Sequence, residues 1–473
     1  MGSGTRLVSD AARRLMQEIR REVHERLGPD ATFEQRRDAA AALTSDALWL
    51  DEDEDLRENL TTAERVEVEG RVYQRLEQPS SATYYGRWGS HDVAEPLYRE
   101  IGLHNGPTIK PIELRVGIIE HMTPDMARVV GELSADKSSR GVERTLRAVG
   151  LVPPSRAFLA KHTTEMGIEI ADQAPVLEAG ARAAEMVSAE VASVSTGLDR
   201  MSVRMSEPAD PATTSPPSRT EPYERTPPPP KEHHYRKAWV GSTSIYDAKG
   251  NELHTWRYAV EADSDPVAFS ERVAQEVAWI VKAHPGVPVH CIQDAAPELK
   301  RLPEALARLL PTNTNVVQLV DFEHLMTYLD AVVDACEPEG DPRNWKGWYR
   351  SELLRDDNAI DAIWRKLRRL AKQLPGRGSE ARNAVAAALS YIRTRKATMR
   401  YATHHRAHLP IGSGATESTC WQMQQRVKLP GQSWDVPGLR GTLAMRALVL
   451  SDRWLSAWPH YAATHRREVR AAA

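Results

Sequence analysis

Hydrophobic spacing divides the chain into a helical first third, a strand-rich middle and a helical end. Residues 9–46 carry apolar positions at helical intervals, interrupted at "GPDATFEQ", and predict two helices. The acidic run "LDEDEDLREN" (50–59) reads as a solvated helix entry. "ATYYGRWGSHDVAEPLYREIG" alternates apolar and polar residues and predicts a short hairpin. From 111 to 172 helical periodicity returns in short pieces punctuated by Thr-Pro, Ser-Ser and Gly. That punctuation suits a helix-turn-helix module, and suits a plain helical bundle at least as well. An Ala-rich helix continues over 173–189.

The first β-branched strand is "EVASVSTGLDRMSVRM" (190–205). Residues 206–232 then hold nine prolines among Ser, Thr and Glu, which predicts a disordered loop. A hairpin over 237–260 turns at Lys-Gly-Asn. Next come a helix, the strand "VPVHCIQD", a helix and the strand "NVVQLVD". Residues 322–405 read as an almost wholly helical, Trp/Arg-rich block. "PIGSGATESTCWQMQQRVK" is a turn running into a helix, and "GLRGTLAMRALVLSDRWLSAW" a terminal amphipathic helix. This order predicts an α/β fold, a mixed five-stranded sheet with helices, interrupted by an all-helical insertion. It matches the order of an RNase H-like core. The expected parts are an N-terminal helical region (1–75), a hairpin with a helix-turn-helix-like DNA-binding region (76–185), the first part of the core (186–330), the helical insertion (331–408) and the final helices of the core (409–473).

Composition narrows the setting. No apolar run approaches the roughly 20 residues a bilayer needs, so no membrane partner is expected. The start "MGSGTRLVSDAARRLMQEIRREV" lacks an apolar signal core, and export is not expected. Cys291, Cys336 and Cys420 form no Cys-x-x-Cys pair, which fits a reducing cytoplasm and argues against a Cys-rich zinc site. The net charge of −3 conceals an asymmetry. Residues 341–473 hold 24 Lys+Arg against 10 Asp+Glu, a net of +14, and the remainder carries −17. A basic final third reads as a polyanion-binding face or as a set of solvated Arg-rich helices.

Three acids sit where strands of such a sheet end. Asp199 lies in "STGLDRMS", Asp294 ends "PVHCIQD", and Asp321 ends "VVQLVD" with His324 three residues on. An acid after an apolar strand is costly unless it reaches water, caps the next helix or binds a cation. Glu417 opens the helix after the Gly-Ser-Gly turn. Two strand-end aspartates and a helix-borne glutamate supply the oxygen ligands that Mg²⁺ takes. Trp421, Trp434 and Trp345 are candidates for stacking on unpaired bases, against the commoner role of tryptophan in a core.

The blocks "VSTGLDRMSVRM", "HCIQDAAPEL", "LVDFEHL" and "PIGSGATESTCWQMQQRVK" resemble, in order, the signature blocks of DDE transposases of bacterial insertion sequences. The similarity spans roughly residues 80–460 and points to the ISKra group and its ISL-type relatives, allied to the Mutator and hAT superfamilies. The resemblance implies that Asp199, Asp294 and Glu417 are the catalytic, metal-holding acids, with two Mg²⁺ (or Mn²⁺) ions as cofactors. Asp321-Phe322-Glu323-His324 is similar to the C/D-x-x-H motif, whose histidine lies beside the active site. Trp421, Gln424, Arg426 and Lys428 would follow from metal to DNA along the final helix. The implied function is DNA strand cleavage and strand transfer. The partners would be terminal inverted repeats and target DNA, with a homodimer or larger assembly in the bacterial nucleoid. Arg200 after the first aspartate, the long Pro-rich loop and the lack of a Cys-rich finger depart from that pattern. A domesticated DNA-binding or regulatory protein without transposition activity is the alternative from another class.

Overall fold

The computed structural model describes residues 9–208, 231–294, 296–336, 342–374 and 379–472. It divides into two compact units, Met1–Met166 with Trp458–Ala473, and Gly167–Ala457. Among the described residues no helix is long and apolar enough to cross a membrane.

The first unit begins with α1 (Asp10–Leu27) and α2 (Phe33–Glu58). Thr32 starts α2 with a capping box: its hydroxyl accepts from the Gln35 amide, and the Gln35 side chain accepts from the Thr32 amide. Strands β1 (Arg65–Val68), β2 (Arg71–Tyr85), β3 (Ser90–Glu100) and β4 (Thr108–Ile109) follow, then α3 (Pro111–Val116), α4 (Pro124–Asp136), α5 (Ser139–Ala148) and α6 (Arg156–Ala184), whose residues fall in both units. The expected hairpin is β2–β3, closed at Tyr85↔Ser90. The acidic run is the end of α2 rather than a helix entry, and it is not simply solvated. Glu52 accepts from the backbone amides of Arg87 (2.9 Å) and Trp88 (3.2 Å), holding the hairpin turn.

The second unit contains β5 (Ser193–Pro208), β6 (Lys231–Tyr246), β7 (Glu252–Val260), α7 (Pro266–Ala283), β8 (Val289–Gln293), α8 (Arg301–Leu309) and β9 (Val316–Val320). Helices α9 (Phe322–Cys336), α10 (Pro342–Arg355), α11 (Ala359–Gln373), α12 (Ser379–Arg393) and α13 (Ala402–Arg406) come next, then α14 (Gly414–Val427) and α15 (Val436–Leu450). The chain ends with α16 (Trp454–Ala463) and β10 (Val469–Ala471). Strand β10 pairs antiparallel with β1, so the first unit has a sheet of order β10-β1-β2-β3-β4. Three residues are too few to display alternation, and the sequence pattern did not predict β10.

The second sheet has the order β7-β6-β5-β8-β9. Strands β5, β6 and β7 pair antiparallel, and β8 and β9 continue parallel to β5. This is a mixed α/β layer with helices packed on both faces. Alternate residues of β5 point to opposite sides, as the period of two requires. Val194 and Leu198 pack with Phe269, Val273 and Val277 of α7 and Leu302 and Leu306 of α8. Met201, Val203 and Met205 pack with Cys420, Met423 and Val427 of α14 and Leu439 and Leu443 of α15. Helices α9 to α12 share an apolar core of their own, including Leu325, Leu329, Ile360, Ile363, Leu367 and Val385.

The β5–β6 ladder extends to Pro208↔Lys231. Residues 206–208 and 231–232, expected in the disordered loop, are therefore strand. The rest of that expected loop, 209–230, lies outside the described residues. The single terminal helix expected from "GLRGTLAMRALVLSDRWLSAW" is two helices. It breaks at Ser451-Asp452-Arg453, where Asp452 adopts φ 56° and Ser451 Oγ accepts from the Arg257 amide (2.8 Å). Arg453 is buried there between Glu276 and Glu185. Its guanidinium donates to both Glu276 oxygens at 2.7 Å and to Glu185 at 2.8–3.1 Å.

Helices α6 and α15 approach closely at Gly167 and Gly441, where a Cβ on Gly441 would lie 2.8 Å from the Gly167 carbonyl carbon. Backbone cannot yield as a flexible side chain can. Gly441→Ala is expected to cost about 1–3 kcal/mol through overpacking. A urea titration reads this as a lowered midpoint, and an unchanged midpoint would contradict so close a crossing.

Candidate active site

The parallel pairing of β5 and β8 sets the geometry. Its register is Val194↔Val289, Ser195↔His290 and Thr196↔Cys291. Asp199 and Asp294 each lie three residues beyond the last pair, Asp199 within β5 and Asp294 just past the end of β8. Between them, a Cβ at Gly197 would collide with the Ile292 carbonyl oxygen and meet Thr416 Oγ1 at 2.8 Å. Glycine is required at that position because β8 and α14 both press on the backbone.

Asp199 is half-buried on the α14 face of β5. Its Oδ1 accepts from the following Arg200 amide (2.6 Å) and its Oδ2 from the Cys420 thiol (3.3 Å). Burial, then the charge of Asp199, holds the Cys420 thiol far above its usual pKa, so it remains a neutral donor. Thr416 Oγ1 lies 2.7 Å from Ser242 Oγ of β6. Helix α14 therefore lies along β5 and β6 through Thr416, Cys420, Met423 and Val427.

That packing turns the other face of α14 outward. Glu417, Trp421 and Lys428 are exposed and Gln424 is half-buried. Trp421 is the most open of the proposed stacking residues, at 62%. Trp434 instead donates its indole N–H to the Val427 carbonyl (3.0 Å), and Lys366 caps the Trp345 ring at 4.0 Å. Arg426 points the other way. It is 7% exposed, with its guanidinium over the Trp434 ring at 5.0 Å.

A second group of contacts surrounds Asp294. Its Oδ1 lies 3.2 Å from His324 Nε2 and accepts from the Tyr391 hydroxyl at 3.4 Å. Burial, reinforced by the Asp294 charge, pushes the Tyr391 phenol upward and keeps it a donor. Asp321 is buried and accepts through both oxygens. Oδ1 takes the His324 amide (2.6 Å), capping α9, and Oδ2 takes the Ser413 amide of the Gly-Ser-Gly turn. Ser413 Oγ in turn donates to Glu417 (3.1 Å). A continuous chain of contacts thus links Asp294, His324, Asp321, Ser413 and Glu417. A cavity of about 200 Å³ opens beside Asp294, with Lys300 and Arg395 in its lining.

No protein-family model matches this chain, and no curated protein matches it. The site is therefore read from its own chemistry. Asp199, Asp294 and Glu417 offer only carboxylate oxygens, the donor set a hard cation takes. Among the described residues, the one set of three or more His, Cys, Asp or Glu side chains with ligand atoms within 4.8 Å of one another is Glu120, His162 and Glu165. Asp199, Asp294 and Glu417 are not such a set. The Glu120 group was not singled out from the sequence. Its one local signal is His-x-x-Glu at 162–165, which puts both side chains on one face of a helix.

Proposed function

We propose that the second unit is the catalytic unit of a DDE-type DNA transposase, with an RNase H-like core interrupted by α9–α13 as the helical insertion. The observation that carries this reading is the parallel register of β5 and β8, which leaves Asp199 and Asp294 each three residues beyond the last pair. Helix α14, which bears Glu417, packs on the face where Asp199 lies. The sheet order, with three antiparallel strands followed by two parallel ones, adds to it.

Asp199, Asp294 and Glu417 would hold two Mg²⁺ or Mn²⁺ ions. Two ions would divide the carboxylates between them, so the three acids need not fit one coordination shell. When bound, the ions supply positive charge for both the attacking and the leaving oxygen of a phosphodiester. The remaining work falls to the chain. His324 and Tyr391 orient Asp294, and Cys420 orients Asp199. Asp321 fixes the start of α9 and the Gly-Ser-Gly turn together, which sets the position of Glu417. Trp421, Gln424 and Lys428 line the outward face toward DNA, and the basic final third supplies affinity that falls with salt.

The test is cleavage of linear duplex taken from the DNA flanking the gene. Full-length protein is expected to cut it with Mg²⁺ and to stop when the ion is chelated. Glu417→Gln is expected to lose cutting by about 10²-fold or more while its DNA affinity stays within about twofold. Wild-type cutting by that variant would overturn the assignment. DNA binding without any cutting by the wild-type chain would favour the non-catalytic reading.

A further inference from the structure

We infer that Glu120, His162 and Glu165 form a binding site for one divalent transition-metal ion, with Zn²⁺ the best match. The inference concerns the first unit and stands whether or not the proposed transposase activity does.

Three observations carry it. First, two carboxylates converge on one ring nitrogen. Glu120 Oε2 lies 2.8 Å and Glu165 Oε2 3.0 Å from His162 Nδ1. A neutral imidazole offers one proton at that atom, and two carboxylates compete for it. A second positive centre relieves the contact, and a cation placed among the three atoms supplies it.

Second, the spacing suits a small ion. Zinc bonds of about 2.0–2.2 Å in a tetrahedral arrangement place ligand atoms about 3.3–3.6 Å apart. The nitrogen–oxygen distances of 2.8 and 3.0 Å here would open by about 0.3–0.8 Å. All three ligand atoms already lie within 4.8 Å of one another. One imidazole and two carboxylates favour Zn²⁺ or a neighbouring first-row ion over Mg²⁺ or Ca²⁺, which take oxygen ligands.

Third, the site has a built floor and an open mouth. The His162 ring packs on Phe158 (4.2 Å between centroids) and edge-on to His121 (5.5 Å). Its side chain is 9% exposed, whereas Glu120 is 24% and Glu165 41% exposed. An ion can enter past Glu165, and water can complete its coordination. Lys161 stands 3.9 Å from Glu165 Oε1, on the exposed side. His162 and Glu165 share α6, while Glu120 comes from the turn between α3 and α4. Bound metal would therefore tie that turn to the helix. Glu120 and His121 both adopt left-handed backbone there, with φ 48° and 61°.

The test is titration of metal-stripped, full-length protein with Zn²⁺ alone, followed by calorimetry, and with Co²⁺ followed by visible absorption. The equivalent that this site takes is expected to bind alike in the wild type and in Asp294→Asn, apart from any Zn²⁺ held by Asp199, Asp294 and Glu417. Glu165→Gln is expected to weaken binding by at least about tenfold and His162→Gln to abolish that equivalent, with the Co²⁺ d–d bands lost. Circular dichroism checks folding, and if His162→Gln does not fold, the exposed Glu165→Gln carries the test. Equal Zn²⁺ stoichiometry and affinity in Glu165→Gln and wild type would overturn the proposal. So would a wild-type chain that takes up no Zn²⁺, or loss of the equivalent in Asp294→Asn alone.

Discussion

Asp294→Asn is expected to lower Mg²⁺-dependent DNA cutting by about 10³-fold or more while leaving DNA affinity unchanged. The substitution keeps the shape of the side chain and an oxygen for the Tyr391 hydroxyl to bond. It removes the negative charge, which is the property a cation needs. Losing one electrostatic group aimed at a reacting centre costs on the order of 10²–10³ in rate, and losing a metal carboxylate acts on both oxygens the ions would serve. His324→Asn separates positioning from metal holding. It leaves Asp294 charged but less well oriented, so its defect is expected to be smaller and to be relieved partly by Mn²⁺. Cleavage assays with both ions, beside a binding assay at fixed salt, read these outcomes. Full activity of Asp294→Asn would sink the carboxylate assignment.

The largest expected effect on stability lies at Arg453. Its guanidinium is almost fully buried and holds Glu276, which has no exposed side-chain surface, and Glu185. Tyr258 also donates to Glu276, and Arg182 lies 3.2 Å from it. Burial works against the Glu276 charge, but the Arg453 hydrogen bonds and charge outweigh it and hold this carboxyl below its ordinary value of 4.5. Arg453→Met leaves Glu276 buried with much less compensation, at an expected cost of about 3–5 kcal/mol. Replacing both partners, as Arg453→Met with Glu276→Gln, removes the stranded charge and is expected to recover part of that loss.

The pH dependence follows in sign. A depressed carboxyl contributes stability that is fully present above its unfolded value, near pH 4.5, and is lost as pH falls through the lower folded value. In Arg453→Met the Glu276 carboxyl rises instead, and its protonated form is the one the fold tolerates. The difference between wild type and variant should therefore be larger at pH 7 than at pH 4, measured by denaturant titration at each. A difference independent of pH would mean that Arg453 acts through packing alone.

Much of the second unit could be read from pattern because its strands are long and its turns explicit. The Lys-Gly-Asn turn marks β6–β7, and the apolar runs ending in Asp294 and Asp321 mark β8 and β9. Asp321 and Asp294 look alike in sequence, since each follows an apolar strand. A tertiary contact distinguishes them: the Ser413 amide closes over Asp321, and Asp294 keeps partial exposure. Arg426 likewise reads as a DNA-facing cation on a helix. The drift of 100° per residue instead carries it to the buried side, against Trp434. The Glu120–His162–Glu165 group joins a turn to a helix 42 residues later. No local spacing announces such a meeting.

The pairing of β1 with β10 has a consequence for how the chain is made. Val68 finds its partner in Val469. During synthesis the amino-terminal residues of the first unit must wait, with one sheet edge uncovered, while the whole second unit emerges. An uncovered edge invites pairing with the wrong strand. The second unit lies within one stretch of chain and can collapse as soon as the residues to Ala457 are released, ahead of the unit whose residues precede it. The order in which the two parts mature is thus the reverse of the order in which they begin to be translated.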